Sequence, residues 1–319
     1  MSSPSAVCSA VPSALVVPTP SVRRKPPGWL VVSAFAAVYL IWGSTYLGIH
    51  VAVTTMPPFL MAGARFVVAG AVLYTAVRLF GAPAPALVYW RSALVAGALL
   101  LVVGNGAISW VQRFTPSNLT AIMVAATPLW MNLLDWVRPG GKRPAGKTVF
   151  GLLLGFAGVT LVVCSRSSGG TVLQPLGAVV LVMAPLCWAI GSIYSRHAPQ
   201  SPALLLNIAM QMLCGGALML CVGFAVGEFR HFNFGQVSHA SWLAFVYLAT
   251  MGSLVGFTAY AWLLQVSTPA KVSTYAYVNP LIAVLLGRLV LKETLPPGML
   301  VAGGLILASV VVITARRGR

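Results

Sequence analysis

Charged positions are rare along the chain, and they fall at intervals that cut it into apolar runs. Residues 92–112, 114–134, 148–165 and 294–315 each contain no Asp, Glu, Lys or Arg. A helix that spans a bilayer needs about 20 predominantly apolar residues, and these runs have that length. Residues 26–64 and 231–270 are also uncharged. They are too long for one span with a short loop, and proline and glycine clusters divide them. The pattern predicts an all-α, polytopic membrane protein of ten transmembrane helices. They fall at about 29–49, 58–79, 92–111, 116–136, 147–164, 176–195, 203–226, 240–264, 270–291 and 297–315. Pro58, Pro116, Pro175, Pro202 and Pro297 stand at or near helix starts, where the missing N–H of proline costs nothing.

Composition agrees with this reading and removes others. Of 319 residues, 59% are apolar and 7% charged, whereas soluble domains carry about 25% charged residues. That excludes a soluble enzyme domain, a disordered chain and a disulfide-stapled module. The net charge of +17 would suggest a nucleic-acid partner in a soluble protein. Here the basic residues form small clusters between apolar runs, which suits membrane orientation and anionic headgroups, so no nucleic acid is expected. Cys8, Cys164, Cys187, Cys214 and Cys221 form no CxxC pair. They read as apolar packing residues, with no metal and no cofactor expected.

Residues 1–27 read as a flexible cytoplasmic tail. Their apolar stretch precedes Arg23, Arg24 and Lys25, the reverse of a secretory signal. Basic residues concentrate in this tail, at the C-terminus and in alternate loops, most densely at Arg138, Lys142, Arg143 and Lys147. By the positive-inside rule both termini are expected in the cytoplasm of a cell that holds the protein in its plasma (inner) membrane.

The chain also repeats itself. Gly43-Ser44-Thr45-Tyr46 in the first helix returns as Gly191-Ser192-Ile193-Tyr194 in the sixth. Thr115-Pro116 matches Thr268-Pro269, and Pro128-Leu129 matches Pro280-Leu281. Gly151, Gly155 and Gly158 of the fifth helix answer Gly303 and Gly304 of the tenth. The offset stays near 150 residues, so each unit holds five helices. An odd number sends the second copy into the membrane from the opposite side. Such inverted repeats recur in transporters that expose a midplane site alternately to each side.

Trp42-Gly43-Ser44-Thr45-Tyr46, Pro57-Pro58, Ala64-Arg65-Phe66 and Thr127-Pro128-Leu129-Trp130, with the glycine-rich run 151–163, resemble the EamA family of the drug/metabolite transporter superfamily. Asn279-Pro280-Leu281 and Lys292-Glu293 fit the end of a second unit. The resemblance covers about residues 29–315, as units at 28–165 and 174–316. It implies ten helices, cytoplasmic termini and export of amino acids, other metabolites or toxic compounds. Family units often carry a Gly-Glu-Arg-like sequence after the fourth helix. The second unit keeps Glu293, whereas the first has Asp135 followed by Arg138 to Arg143 and lacks the glutamate.

Arg65 is the most informative residue. It stands seven residues into the second helix, about 10 Å from its start, where a charge is costly and faces a polar interior. It either anchors an anionic group of a substrate or ties helix ends together as a structural arginine. Gln211 is its approximate repeat partner, and both are expected to face the bundle interior. Ser44, Tyr46, Ser192 and Tyr194 offer hydroxyls at matching places, beside Trp42 and Trp188. Asn105, Trp110, Tyr275 and Asn279 are further candidates for a substrate cavity. Pro128 and Pro280 are expected to kink their helices and free carbonyl groups. Gly151xxxGly155 and Gly252xxxGly256 read as helix-packing motifs.

The expected function is export of small metabolites by alternating access, with a small-molecule substrate and the bilayer as partners and a homodimer left open. A lipid or xenobiotic translocator of the same fold is the alternative. An intramembrane enzyme is disfavoured, because the chain has no HExxH, no GxSxG and only three acids: Asp135, Glu228 and Glu293. All three lie at helix ends or in loops, which favours a facilitator over proton coupling.

Overall fold

The structure is a computed structural model, and it describes residues 26–137, 145–164, 174–267, 272, 275–293 and 297–314. Nearly all of the N-terminal tail and most of the basic loop 138–147 lie outside these residues, as does the side chain of Asp135.

Among the described residues, each of the ten predicted segments holds helix and there is no strand. We number them α1 (Gly28–Ala52), α2 (Pro58–Leu79), α3 (Leu87–Val111), α4 (Ser117–Val124 with Thr127–Val137), α5 (Gly146–Cys164), α6 (Pro175–His197), α7 (Leu204–Ala225), α8 (His239–Tyr247, Leu248–Val255 and Gly256–Val266), α9 (Tyr275–Val290) and α10 (Pro297–Thr314). Six are long and apolar enough to cross a membrane: α1, α2, α3, α6, α7 and the 239–263 stretch of α8. Shorter apolar stretches lie in α5, α9 and α10. Helix α3 begins at Leu87, five residues before the predicted start. Its first turns carry Arg91, because an arginine near a helix end reaches outward while its stem stays apolar.

Helices pack in exchanged pairs. Helix α1 packs on α9, and its five-helix counterpart α6 packs on α4. Likewise α3 packs on α7 and α8 on α2, while α3 meets α6 and α8 meets α1. The pairs α2–α7, α5–α10 and α4–α9 each join a helix to its own counterpart. A duplicated, inverted pair of five-helix units produces this exchange. Where α2 crosses α7, a Cβ added at Gly63 would lie 2.9 Å from the Gly216 carbonyl oxygen, and one at Gly216 would lie 2.9 Å from that of Gly63. The glycines let the two backbones touch. In α5, Gly151 and Gly158 meet the Ser309 and Ala302 carbonyls of α10 in the same way.

Three helices depart from regular geometry. Residues Ala98–Gly106 of α3 and Leu248–Val255 of α8 are π-helical, at equivalent places of the two units. Such widened turns are uncommon and concentrate at functional sites. Helix α4 breaks at Ala125–Ala126. Pro128 has no N–H for the Val124 carbonyl, and the Thr127 hydroxyl donates to that oxygen instead, at 2.6 Å. In α9 the helix runs on through Pro280.

Candidate functional site

The π segment of α3 brings Asn105 to Arg65. The Arg65 side chain is 2% exposed, and its Nη2 donates to Asn105 Oδ1 at 2.7 Å. The guanidinium lies over the Phe66 ring, 4.3 Å from its centroid. Its Nε and Nη1 are buried with no hydrogen-bond partner among the described residues.

A wall of aromatic rings stands next to this cation. Phe257 of α8 touches Phe66 (centroids 5.9 Å apart), Trp42 (5.2 Å) and Trp188 (6.2 Å). Trp42 also meets Tyr260 and Tyr275, at 4.9 and 5.3 Å. Trp42 and Trp188 stand on the counterpart helices α1 and α6, one and three residues before the matching Gly-Ser pairs, and they contact each other edge to face at 6.4 Å. The second π segment serves this wall, since the Trp42 indole N–H donates to the Gly252 carbonyl at 3.3 Å. Gly104 in the first leaves room for the Trp188 ring, 3.0 Å from where a Cβ would stand.

The other predicted residues divide into those near this centre and those away from it. Ser44 donates to the Leu40 carbonyl at 2.7 Å and shares a short hydrogen bond with the Tyr247 hydroxyl of α8. Tyr46 is half-buried. Asn279 is buried on α9. With its amide turned so that nitrogen faces the carbonyls, it donates to Tyr39 at 3.3 Å and Tyr275 at 3.2 Å, stitching α9 to α1. Ser192 bonds its own helix at the Trp188 carbonyl, 2.7 Å away. Tyr194 packs in the apolar cluster around Phe66 and Leu101. Trp110 pairs with Phe114 at 4.9 Å, within the cluster of Leu119, Ile122 and Leu181. Gln211 lines a small polar notch with Tyr89, Ser92, Ser195 and Asn207, at the start of α7 and the end of α6.

One end of the bundle is tied by carboxylates. Glu228, just after α7, accepts from the backbone N–H of Phe59 (3.3 Å) and Leu60 (2.9 Å) at the start of α2. Glu293, just after α9, accepts from Ser117 N (2.8 Å), Ser117 Oγ (3.0 Å) and Asn118 N (3.1 Å) at the start of α4. Helix N-termini carry unpaired N–H groups and partial positive charge, so each glutamate fastens a second-unit helix to a first-unit one. Lys292, in the left-handed region at φ 55°, supplies the turn that sends Glu293 back. Gly287 leaves the space its carboxylate fills. Burial pushes the Glu228 carboxyl above the usual glutamate range, opposed by the two amide bonds and by Arg113. At the same end the Ser241 hydroxyl donates to the Val51 carbonyl at 3.0 Å and accepts from Thr55 at 2.7 Å, joining α1 to α8.

Sequence reasoning missed several buried polar groups. Gln112 is fully buried at the end of α3, and among the described residues both its amide atoms lack partners; the hydroxyls of Thr115 and Ser253 are buried and find no partner there either. Gln112 is the last residue of an uncharged run, and only that place marks it in the sequence. Among the described residues no group of His, Cys, Asp and Glu has a metal-site arrangement.

This chain is similar to the uncharacterized inner membrane transporter YedA of Escherichia coli (strain K12). The two are 35% identical over 282 residues, covering 88% of this chain and 89% of YedA. A probable amino-acid metabolite efflux pump of the same strain is 24% identical, over 81% of this chain and 86% of its own. A crystal structure 19% identical in sequence shares the fold, with a TM-score of 0.61 over 88% of this chain and 95% of that one. Residues 29–164 and 175–315 each match the EamA-like transporter family. The chain is an integral membrane protein that belongs to the EamA-like transporter family.

Proposed function

We propose that the protein exports small metabolites, amino acids or related zwitterionic and amphiphilic compounds, by alternating access and without a catalytic step. The observation that carries this reading is the meeting of Trp42 and Trp188, which stand on the counterpart helices α1 and α6 and touch between two equivalent π segments. A centre where counterpart helices of the two units meet is where two half-bundles can swap shapes and present one site to either side. The units are taken as 28–165 and 174–316, with both termini in the cytoplasm of the inner membrane. The end tied by Glu228 and Glu293 then faces outward and is closed. The name of the efflux-pump relative supports the amino-acid class. Metabolite profiles inside and outside overexpressing cells test the proposal, with Arg65→Gln at equal membrane abundance as control. Export is expected to move a few zwitterionic compounds outward with the wild type alone. An unchanged profile would sink it.

One feature favours the lipid or xenobiotic alternative. An apolar hollow of about 450 Å³ opens between α3 and α7, lined by Val102, Val103, Leu218, Cys221 and Val222 among others. Bulky substitution there, such as Ala98→Phe, is expected to leave metabolite export intact. Loss of a lipid-dependent activity instead would favour the alternative.

A further inference from the structure

We propose that Arg65 and Asn105 form the anchor for a single carboxylate of the substrate, so that the transported class is monocarboxylates with an apolar or zwitterionic body. This rests on the transport reading above and names the chemistry of its site.

The whole chain has three acids. Glu228 is engaged by the amides that open α2, and Glu293 by those that open α4. Asp135 stands on α4 near the end opposite to Ser117. None of the described carboxylates bonds Arg65, whose one hydrogen bond among the described residues goes to a neutral amide. A charge enclosed without a partner is among the costliest arrangements a fold can carry. An arginine that only tied helices together would spend its donors on backbone carbonyls. Here two of the three guanidinium nitrogens have no acceptor among the described residues, which leaves them open to an acceptor that a substrate brings.

The size of the charge limits the ligand. The other described arginines stand at helix ends or in loops: Arg78, Arg91, Arg113, Arg196, Arg230 and Arg288. One enclosed guanidinium balances one negative charge, which a carboxylate supplies and a dianionic phosphate ester exceeds. The surroundings limit the rest of the molecule. Phe257 bridges the ring beneath Arg65 to Trp42 and Trp188. Aromatic faces there accept an apolar side chain or, by cation–π attraction, the ammonium of an amino acid. In this structure the helices enclose the anchor. A substrate reaches it when the Trp42–Trp188 contact opens.

The test uses the purified full chain and three probes that differ only in their charged groups: L-phenylalanine, L-phenylalaninamide and 3-phenylpropionate. Thermal unfolding is followed with each, and counterflow is measured in proteoliposomes. Both acids are expected to raise the unfolding temperature, and the amide is not. Arg65→Gln is expected to lose the acid-specific rise. Because that variant can fail to fold, Asn105→Asp is the second. It sets a carboxylate beside the guanidinium, so it is expected to unfold at a higher temperature without ligand. The half-saturating concentration of either acid should then rise at least tenfold. Stabilisation by the amide as strong as by the acids, by none of the three, or by acids as well in Asn105→Asp as in wild type overturns the anchor. Acid-specific stabilisation without counterflow leaves the anchor standing and overturns export.

Discussion

The centre and the tied end of the bundle hold opposite charges under opposite conditions. At the centre a guanidinium is enclosed with one neutral partner, Asn105. At the end, Glu228 and Glu293 accept two and three hydrogen bonds from the starts of α2 and α4. The chain therefore uses its described carboxylates to neutralise helix N-termini, and none of them compensates its buried cation. In a protein with three acids this division matters. The end gains closure from groups that are satisfied within the fold, and the centre keeps an unmet demand for an anion.

The largest expected effect comes from deepening the deficit at the centre. Asn105→Leu removes the one described acceptor on Arg65 while keeping the branched shape and the number of side-chain heavy atoms. Leaving a buried charge without that bond is expected to cost about 2–3 kcal/mol, read as a lower unfolding temperature in detergent, with transport reduced at least tenfold. Unchanged stability would mean that Arg65 has partners the geometry does not reveal. Next is the tied end. A Cβ at Gly287 would collide with the Glu293 carboxylate, so Gly287→Ala is expected to cost about 1–3 kcal/mol through forced repacking. It should also leave the Ser117 and Asn118 amides open to faster hydrogen exchange. Exchange as slow as in wild type would show that Glu293 is not what protects them. Glu293→Gln is milder, because the amide oxygen can still accept one bond. Loss of the charge at the helix start is expected to cost about 0.3–1 kcal/mol. The acid-specific stabilisation at Arg65 should stay unchanged, which separates the two regions.

Much of this arrangement was legible in the sequence. The uncharged runs and proline starts marked the helices, and the repeat named the counterparts that pack together, such as α2 with α7. Arg65 stood out because a charge seven residues into an apolar helix has few explanations. The π segments were not legible. Residues 92–112 are uncharged and mostly apolar, and an extra residue per turn leaves little signature where nearly every face is apolar. The break in α4 and the unbroken α9 were equally hidden, since both carry the same Pro-Leu pair. What differs is the residue before it, Thr127 or Asn279, and its hydrogen bond appears only in three dimensions. Gln211 and Arg65 share a place in the repeat, but Gln211 faces a notch at the α6–α7 junction. A repeat equates backbones and not the neighbours that side chains meet.

The smallest effect is a question of sign at Glu228. Two amide bonds and Arg113 favour its ionised form, and burial opposes it more strongly, so its carboxyl is raised above the usual value. A carboxylate raised on folding contributes stability below its unfolded value, near 4.3, and that contribution fades as pH rises through the folded value. Glu228→Gln mimics the protonated form and carries no titration. The wild type is therefore expected to gain unfolding temperature relative to Glu228→Gln as pH is lowered from neutral toward that unfolded value, with a constant difference below it. The gain should be smaller than the effects above, because the carboxylate is only half-buried and solvent screens it. A difference that moves the other way would mean that the α2 amides outweigh burial. Glu228 would then hold the end most firmly when ionised, and acidification would loosen the closed end instead of tightening it.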